Sequence, residues 1–470
     1  MNNPQDLEKV KAQHEAGKLT ARERIEKIAD NGSFVEMYAM LGNGQRDAGV
    51  VTGYATIDCR PVYLFAQDFT VHGGAMGQMQ AEKILRLMDA ALKNGAPVIG
   101  VMDSAGVCID EAAQGMDAFG RIYSKMADLS GVCPLLTVIA GPCIGGAALI
   151  SQLSDISIAV EKISSVMVFG PQVMAAMNGV NGDLQSFGGA KVAASCGTVA
   201  LTAENENQAF GMVKTLFGLL PGCNLEDTEL FDNGELSKTV SENASELFTA
   251  LPDEPGIELY PDWGKGIRTQ LCRMGGRSVA LLSAEGKLDA ASLRKAARFV
   301  RFADAFGLSL VSLINTDGVE VNGIQGQADL IKAQSQLLYA CAEATCPKIS
   351  VVTGNAIGQS YIALGGKANA DVTYAWPDAV ISALTPAAAV AVLYSDKVKN
   401  ATELSVQEAR EKYAADYVEN IAGALCAAKA GLVDDVIQPA MTRPLILSAL
   451  EMLASKRQTK PAKKHGNLPL

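Results

Sequence analysis

Residues 141–150 read GPCIGGAALI and place a Gly-Pro and a Gly-Gly within 26 consecutive uncharged residues, Leu129 to Ser154. A weaker copy, GNAIGQSYIAL, occupies 354–364. In both, a buried-strand pattern (LLTVIA at 135–140, ISVVT at 349–353) enters a glycine-containing turn, and a helical pattern follows. The start of a helix carries unpaired N–H groups and partial positive charge, so it can hold an anion. Glycine removes the Cβ that would keep a ligand oxygen away from the backbone. Two amides aimed at one point form an oxyanion hole, suited to an enolate or a tetrahedral intermediate. Tight strand–helix packing is the better explanation of an isolated Gly-Gly; the recurrence of the turn in both halves favours the anion site. A membrane span is the third reading, since the run is long enough. Pro134, Pro142 and the adjacent glycines interrupt it, which points to a strand followed by a helix.

Other reactive constellations are scarce. There is no phosphate-binding G-x-x-x-x-G-K-[ST] and no G-x-S-x-G nucleophile turn. The three histidines (His14, His72, His465) cannot assemble a Ser/Cys–His–Asp set, and His72 in QDFTVHGGAMG reads as a satisfied loop or core histidine. Ten cysteines occur without a C-x-x-C pair, and no H-x-x-x-H is present, so no metal site is expected. Any chemistry would then rest on amides and on a cofactor that brings its own reactive group.

The elements that position these turns are written twice. RPVYLFAQD from Arg60 resembles RSVALLSAE from Arg277, 217 residues on. VIGVMDSAG, ending at Gly106, matches LVSLINTDG, ending at Gly318, 212 residues on. Gly145 and Gly358, Asp155 and Asp371, and Pro171 and Pro386 repeat at 213, 216 and 215. So constant an offset indicates a duplicated domain rather than a solenoid. Apolar runs such as PVIGVM (97–102) alternate with helical patterns such as AEKILRLMDAALKN (81–94), which predicts a parallel sheet covered on both faces. The polar stretch at 222–257 separates the copies, giving an N-terminal domain over 1–250 and a C-terminal domain over 255–470. The basic tail SKRQTKPAKKHGNLPL reads as solvated.

With 470 residues, 49% hydrophobic and 19% charged, the chain is apolar enough to predict a homo-oligomer with large buried interfaces. A net charge of −11 and a pI near 5.0 argue against a nucleic-acid-binding surface, though not against a local basic pocket for a phosphorylated small molecule. No charged-then-apolar signal segment opens the sequence, which predicts a cytoplasmic protein with reduced thiols.

QDFTVHGGAMG, IGVMDSAG, GPCIGGAA, VFGPQV, FGGA, KAARFVRFADAFGL, YACAEATCPKISVVT, DVTYAWPDA and the terminal KKHGNLPL together resemble the carboxyltransferase subunits of biotin-dependent enzymes. That family includes propionyl-CoA carboxylase β chains and methylmalonyl-CoA decarboxylase α chains. The resemblance runs in order along nearly the whole chain. It implies two tandem crotonase-like α/β domains, a hexamer, and active sites across a dimer interface. The N-terminal half would bind the acyl-CoA, and the C-terminal half of the partner would bind carboxybiotin. Catalysis would fall to the amides of Gly145 and Gly146 on the thioester side and of Gln359 and Ser360 on the biotin side. Gly106, Val107, Gly358 and Ile362 would bind substrate. No Met-Lys dipeptide and no ATP-grasp signature occur, so a biotin carboxyl carrier protein and a biotin carboxylase, or a membrane decarboxylase subunit, would be separate partners. A decarboxylase subunit would hold the chain at the membrane. Ile362 and the basic tail favour methylmalonyl-CoA decarboxylase over propionyl-CoA carboxylase.

The sequence departs from the family pattern at three places. Val107-Cys108 stands for its Ala-Arg, NTDGVEV (315–321) for its Asp-x-Pro-Gly-Phe segment, and GNAIGQSY (354–361) for its Arg-Lys-Ala-Tyr-Gly-Gly-Ala-Tyr. These departures motivate a second reading, a non-catalytic scaffold subunit paired with an active paralogue. A third, a biotin-independent crotonase-type hydratase or hydrolase, lacks a Glu pair beside GPCIGG.

Overall fold

The computed structural model describes residues 4–41, 48–231, 240, 243–401 and 404–469. They divide into two compact units, Met1–Thr228 with Tyr260–Trp263, and Glu229–Leu259 with Gly264–Leu470. The second unit therefore begins earlier than the expected break at 250–255. Leu247, Phe248 and Leu251 are fully buried against Cys272, Met274 and Val279 of the second core, so burial draws this segment there. Part of the polar connection, 232–239 and 241–242, lies outside the described residues.

Each unit holds one eight-stranded sheet. The first comprises β1 (Val35–Met37), β2 (Val50–Ile57), β3 (Arg60–Gln67), β4 (Val98–Ser104), β5 (Leu135–Ile144), β6 (Ile156–Val160), β7 (Ser165–Met167) and β8 (Leu201–Ala203). The second comprises β9 (Ile257–Leu259), β10 (Ile267–Met274), β11 (Arg277–Leu288), β12 (Ser309–Val319), β13 (Lys348–Ile357), β14 (Val372–Ala375), β15 (Val380–Ser382) and β16 (Asp435–Val436). The order is β1-β2-β3-β4-β5-β6-β8 with β7 on β5, and β9-β10-β11-β12-β13-β14-β16 with β15 on β13. The two sheets have the same topology, strand for strand.

Strands β3 to β6 are parallel, as are β11 to β14. All seven residues of β4 are buried, as its unbroken apolar run requires. The edges β1–β2–β3 and β9–β10–β11 are antiparallel, which the reading of a purely parallel sheet missed. The cause is a two-residue hairpin turn with both residues at positive φ: Asp58 (49°) and Cys59 (63°), then Gly275 (60°) and Gly276 (76°). An aspartate holds each turn. Asp30 accepts the Asp58 and Cys59 N–H groups at 3.1 and 3.0 Å, and Asp253 accepts those of Gly275 and Gly276 at 3.0 and 2.9 Å.

Two long helices in each unit cover the sheet. Gln78–Asn94 and Ala113–Leu129 bury stripes such as Ala118, Ile122 and Met126, four residues apart. Ala290–Ala305 and Gly323–Glu343 are their counterparts. The repeat holds at single hydrogen bonds. Asp155 accepts the Leu135 N–H at 2.8 Å and donates its own to the Leu135 carbonyl at 2.9 Å; Asp371 does the same with Lys348 at 2.8 and 2.9 Å. Pro171 and Pro386 each open a helix, where a missing N–H costs nothing.

The uncharged run 129–154 is a strand and a short helix; no described helix is long and apolar enough to cross a membrane. The C-terminal tail is more than solvated. Lys456 reaches the Cys346 carbonyl and Asp371 at 2.9 and 2.8 Å, and Lys463 pairs with Glu343.

Candidate functional site

Strand β5 ends at Ile144, and Gly145 turns the chain at φ 65°, ψ −127° into the helix Gly146–Leu153. Gly358 repeats this at φ 65°, ψ −131° before the helix Gln359–Leu364. A Cβ at either glycine would meet nothing closer than 3.8 or 3.5 Å, so the backbone angle, not space, demands glycine. Their own amides are committed: Gly145 N–H donates to the Met167 carbonyl at 2.9 Å and Gly358 N–H to the Ser382 carbonyl at 2.8 Å. This corrects the expectation for Gly145, because a donor already held by the sheet has no hydrogen left for a ligand. The next amides, of Gly146 and Gln359, begin their helices and have no partner among the described residues.

A second donor comes from the end of the neighbouring strand. Gly106 sits at φ 116°, its N–H held by the Ser104 hydroxyl at 3.2 Å. Met76 N–H donates to the Gly106 carbonyl and Cys108 N–H to the Met76 carbonyl, both at 2.8 Å, leaving the Val107 N–H between them unused. A Cβ on Gly106 would lie 3.2 Å from the Ile144 carbonyl, which places this loop against the Gly145 turn. In the second unit Gly318 sits at φ 96°, its N–H held by the Thr316 hydroxyl at 3.0 Å. Glu320 N–H donates to the Leu288 carbonyl at 2.9 Å, and the same pairing leaves the Val319 N–H unused. Each turn thus pairs one loop amide with one helix-start amide: Val107 with Gly146, and Val319 with Gln359. Val107 was expected to bind substrate through its place in the motif; the structure gives it a donor.

Ser360 contributes differently. Its buried hydroxyl lies 3.0 Å from that of Thr316, tying the helix start to the Gly318 loop. Ile362 and its counterpart Leu149 are both 48% exposed, three residues into their helices. The glycine lost from the second turn also has an explanation. A Cβ on Gly146 would lie 2.7 Å from the Tyr123 hydroxyl and 2.8 Å from the Phe119 ring, a local packing constraint of the first turn. Tyr123 donates to the Gly146 carbonyl at 2.8 Å, and burial raises its phenol to about 12.

Beneath the first turn lies a buried ion cluster. A Cβ on Gly141 would fall 1.9 Å from Asp103, so glycine there leaves room for the carboxylate. Asp103 accepts from Lys18 at 2.7 Å, Arg24 at 2.9 Å and Gln13 at 3.1 Å. Arg24 also binds Glu206 at 2.6 Å and the Ala140 carbonyl at 2.7 Å. Burial pushes Lys18 below its ordinary range against the pull of Asp103, and raises Glu206 against Arg24. In the second unit Gly354 makes the same room, 2.2 Å from the neutral Asn315. Nothing in the spacing of Lys18 and Arg24 marks them as partners of Asp103, some 80 residues on.

The remaining reactive groups are not poised for nucleophilic work. Cys143 is buried and its thiol is pushed up to about 12, chiefly by burial and then by Asp103. His72 is exposed on the turn His72–Gly74. No cluster of three potential metal ligands occurs among the described residues.

Comparison with known proteins identifies the family and the fold. The carboxyl transferase domain model matches residues 12–468. The methylmalonyl-CoA decarboxylase subunit alpha of Veillonella parvula is 37% identical across 98% of this chain and 95% of its own length. The mitochondrial propionyl-CoA carboxylase beta chain of Homo sapiens is 35% identical across 98% and 90%. Among solved structures, transcarboxylase 12S, a hexamer determined with methylmalonyl-coenzyme A and methylmalonic acid bound, superposes with a TM-score of 0.91 at 35% identity, covering 98% of this chain and 94% of that one. Two tandem crotonase-like domains, matched along their whole length, make this chain a member of the carboxyltransferase family of biotin-dependent acyl-CoA carboxylases and decarboxylases.

Proposed function

We propose that the chain is the subunit that moves a carboxyl group between biotin on a separate carrier protein and the α-carbon of a short-chain acyl-CoA, with methylmalonyl-CoA and propionyl-CoA as the pair. The observation that carries this reading is the duplicated turn, each copy presenting two unused N–H groups. Carboxybiotin supplies the carboxyl group, and its ureido nitrogen exchanges that group for the α-proton of the acyl-CoA. The chain's own task is to hold charge. As the α-carbon loses carbon dioxide or a proton, negative charge moves onto the thioester oxygen, which Val107 and Gly146 N–H receive. Val319 and Gln359 N–H receive the ureido oxygen at the other end of the transfer.

Two further features support the assignment. The side-chain changes at Val107–Cys108 and Gly354–Ser360 leave the backbone donors in place, which favours an active enzyme over a scaffold. Exposed apolar residues recur at matching places, Leu149, Phe169 and Met177 against Ile362, Leu384 and Val392. Covering them calls for a second copy, in line with a hexamer like that of transcarboxylase 12S. On this reading the enzyme works in the cytoplasm, held at the membrane when its partner is a decarboxylase subunit. The test is to incubate the purified protein with methylmalonyl-CoA and free biotin. Propionyl-CoA should form in a biotin-dependent manner; propionyl-CoA release indifferent to biotin would refute the assignment.

A further inference from the structure

The two turns share a backbone but differ in the side chains beside it. In the paired strands, Ser104 stands opposite Cys143 and Thr316 opposite Ala356. One step from each pair, the first unit has Ala105 and Pro142, and the second has Asp317 and Asn355. The first pair offers a ligand no side-chain donor or acceptor. In the second, Asn355 Nδ2 donates to Asp317 Oδ1 at 2.7 Å, and the Asn355 backbone N–H is held by Asn315 Oδ1 at 3.0 Å. Asp317 is exposed, and its other oxygen has no partner among the described residues.

This difference matches a difference between ligands. A thioester carbonyl is flanked by sulfur and carbon, neither of which donates a hydrogen bond. A cyclic ureide carries N–H beside its carbonyl, so a site that binds its oxygen through amides gains selectivity from an adjacent acceptor. Within the functional reading above, on which this rests, we infer that Asp317 is a specificity-determining residue of the second turn, accepting the ureido N–H of biotin. Asn355 is a positioning residue that fixes the carboxylate. The Asp317 carboxylate stands where the family pattern has proline, so this contact belongs to this chain and not to a shared motif.

The experiment measures carboxyl transfer from methylmalonyl-CoA to free biotin and to a biotin methylated on the ureido nitrogen that does not carry the carboxyl group. The proteins are wild type, Asp317→Ala, Asp317→Asn and Asn355→Ala. Losing a hydrogen bond to a charged acceptor should raise KM for biotin about tenfold to a hundredfold in Asp317→Ala. Asp317→Asn should fall between, and Asn355→Ala should show a smaller rise. KM for methylmalonyl-CoA should stay within twofold of wild type, about the scatter of such a measurement, in contrast to general damage to the fold. Wild type should discriminate against the methylated biotin, and Asp317→Ala should lose that discrimination. If Asp317→Ala keeps the wild-type KM for biotin, or wild type accepts both biotins alike, the inference fails while the functional reading stands. A wild type that transfers nothing to free biotin overturns both.

Discussion

Replacing Gly145 with alanine separates the backbone role of the first turn from ordinary packing. The new Cβ would find its nearest neighbour, the Val168 carbonyl, 3.8 Å away, so no steric clash accompanies the change. The cost lies in φ 65°, ψ −127°, a conformation that side chains resist by about 1–3 kcal/mol. Relaxing that strain rotates the peptide between Gly145 and Gly146, which swings the Gly146 N–H off its target. Loss of one such donor costs about 2.7–4 kcal/mol in the transition state, or about 10²–10³ in kcat. Gly307→Ala is the control for a positive-φ glycine away from the turns: it lies at φ 65° with nothing within 4 Å, in the turn that ends the helix Ala290–Ala305. Both variants should lose roughly 2–12 °C in thermal unfolding, taking about 2–4 °C per kcal/mol for a unit of this size. Only Gly145→Ala should lose turnover in the methylmalonyl-CoA and biotin assay. Gly358→Ala, at φ 65°, ψ −131°, should reproduce that loss from the second turn. A Gly145→Ala enzyme with wild-type kcat and the melting shift of the control would show that the turn amides do not hold the developing charge.

Three other outcomes can be checked. Gly146→Ala should damage activity and stability together, since its Cβ meets Tyr123 and Phe119 at 2.7–2.8 Å; adding Tyr123→Phe should recover part of both, and no recovery would point away from the steric cause. Asp103→Ala should destabilise the protein by about 3–5 kcal/mol in urea titration, because Lys18 and Arg24 remain buried without their carboxylate; a loss below about 1 kcal/mol would contradict the cluster. Burial raises the Glu23 carboxyl, but hydrogen bonds from His14 and from the Thr20 N–H and hydroxyl outweigh it and bring it to about 2. A folded-state value below the unfolded one, about 4.3, gives stability that is present above that pH and lost as pH falls towards about 2. The gap between wild type and Glu23→Gln should be small, because the site is partly exposed, and should narrow as pH falls from about 5 towards about 2; a gap independent of pH over that window would refute it.

Much of the architecture is legible in the sequence because burial and turn geometry leave marks that read locally. The unbroken apolar runs at 97–102 and 135–140 specify central strands, and the equivalent glycines Gly106/Gly318 and Gly145/Gly358 mark backbone angles that other residues avoid. The duplication is legible for the same reason: both copies obey the same local constraints at nearly constant spacing. The first antiparallel edge is hidden in the sequence because Asp58-Cys59 lacks the usual glycine of a tight hairpin; Asp30, 28 residues away, supplies the support that glycine would make unnecessary. The second is marked by Gly275-Gly276, a hairpin signal that the expectation of a parallel sheet passed over.

The sequence by itself thus determined two related α/β domains and the pair of turns that could hold an anion, since both follow from short-range periodicity and from what glycine permits. Only the tertiary structure decided which amides remain to do so. Gly145 N–H is taken by Met167 and Gly358 N–H by Ser382, while Val107 and Val319 are left over by the pairings on either side of them. Whether a donor is free depends on every neighbour that might accept from it, and those neighbours come from strands brought together only by folding. The same holds for Asp103, whose Lys18 and Arg24 partners are set by packing of the N-terminal segment against the sheet rather than by any spacing along the chain.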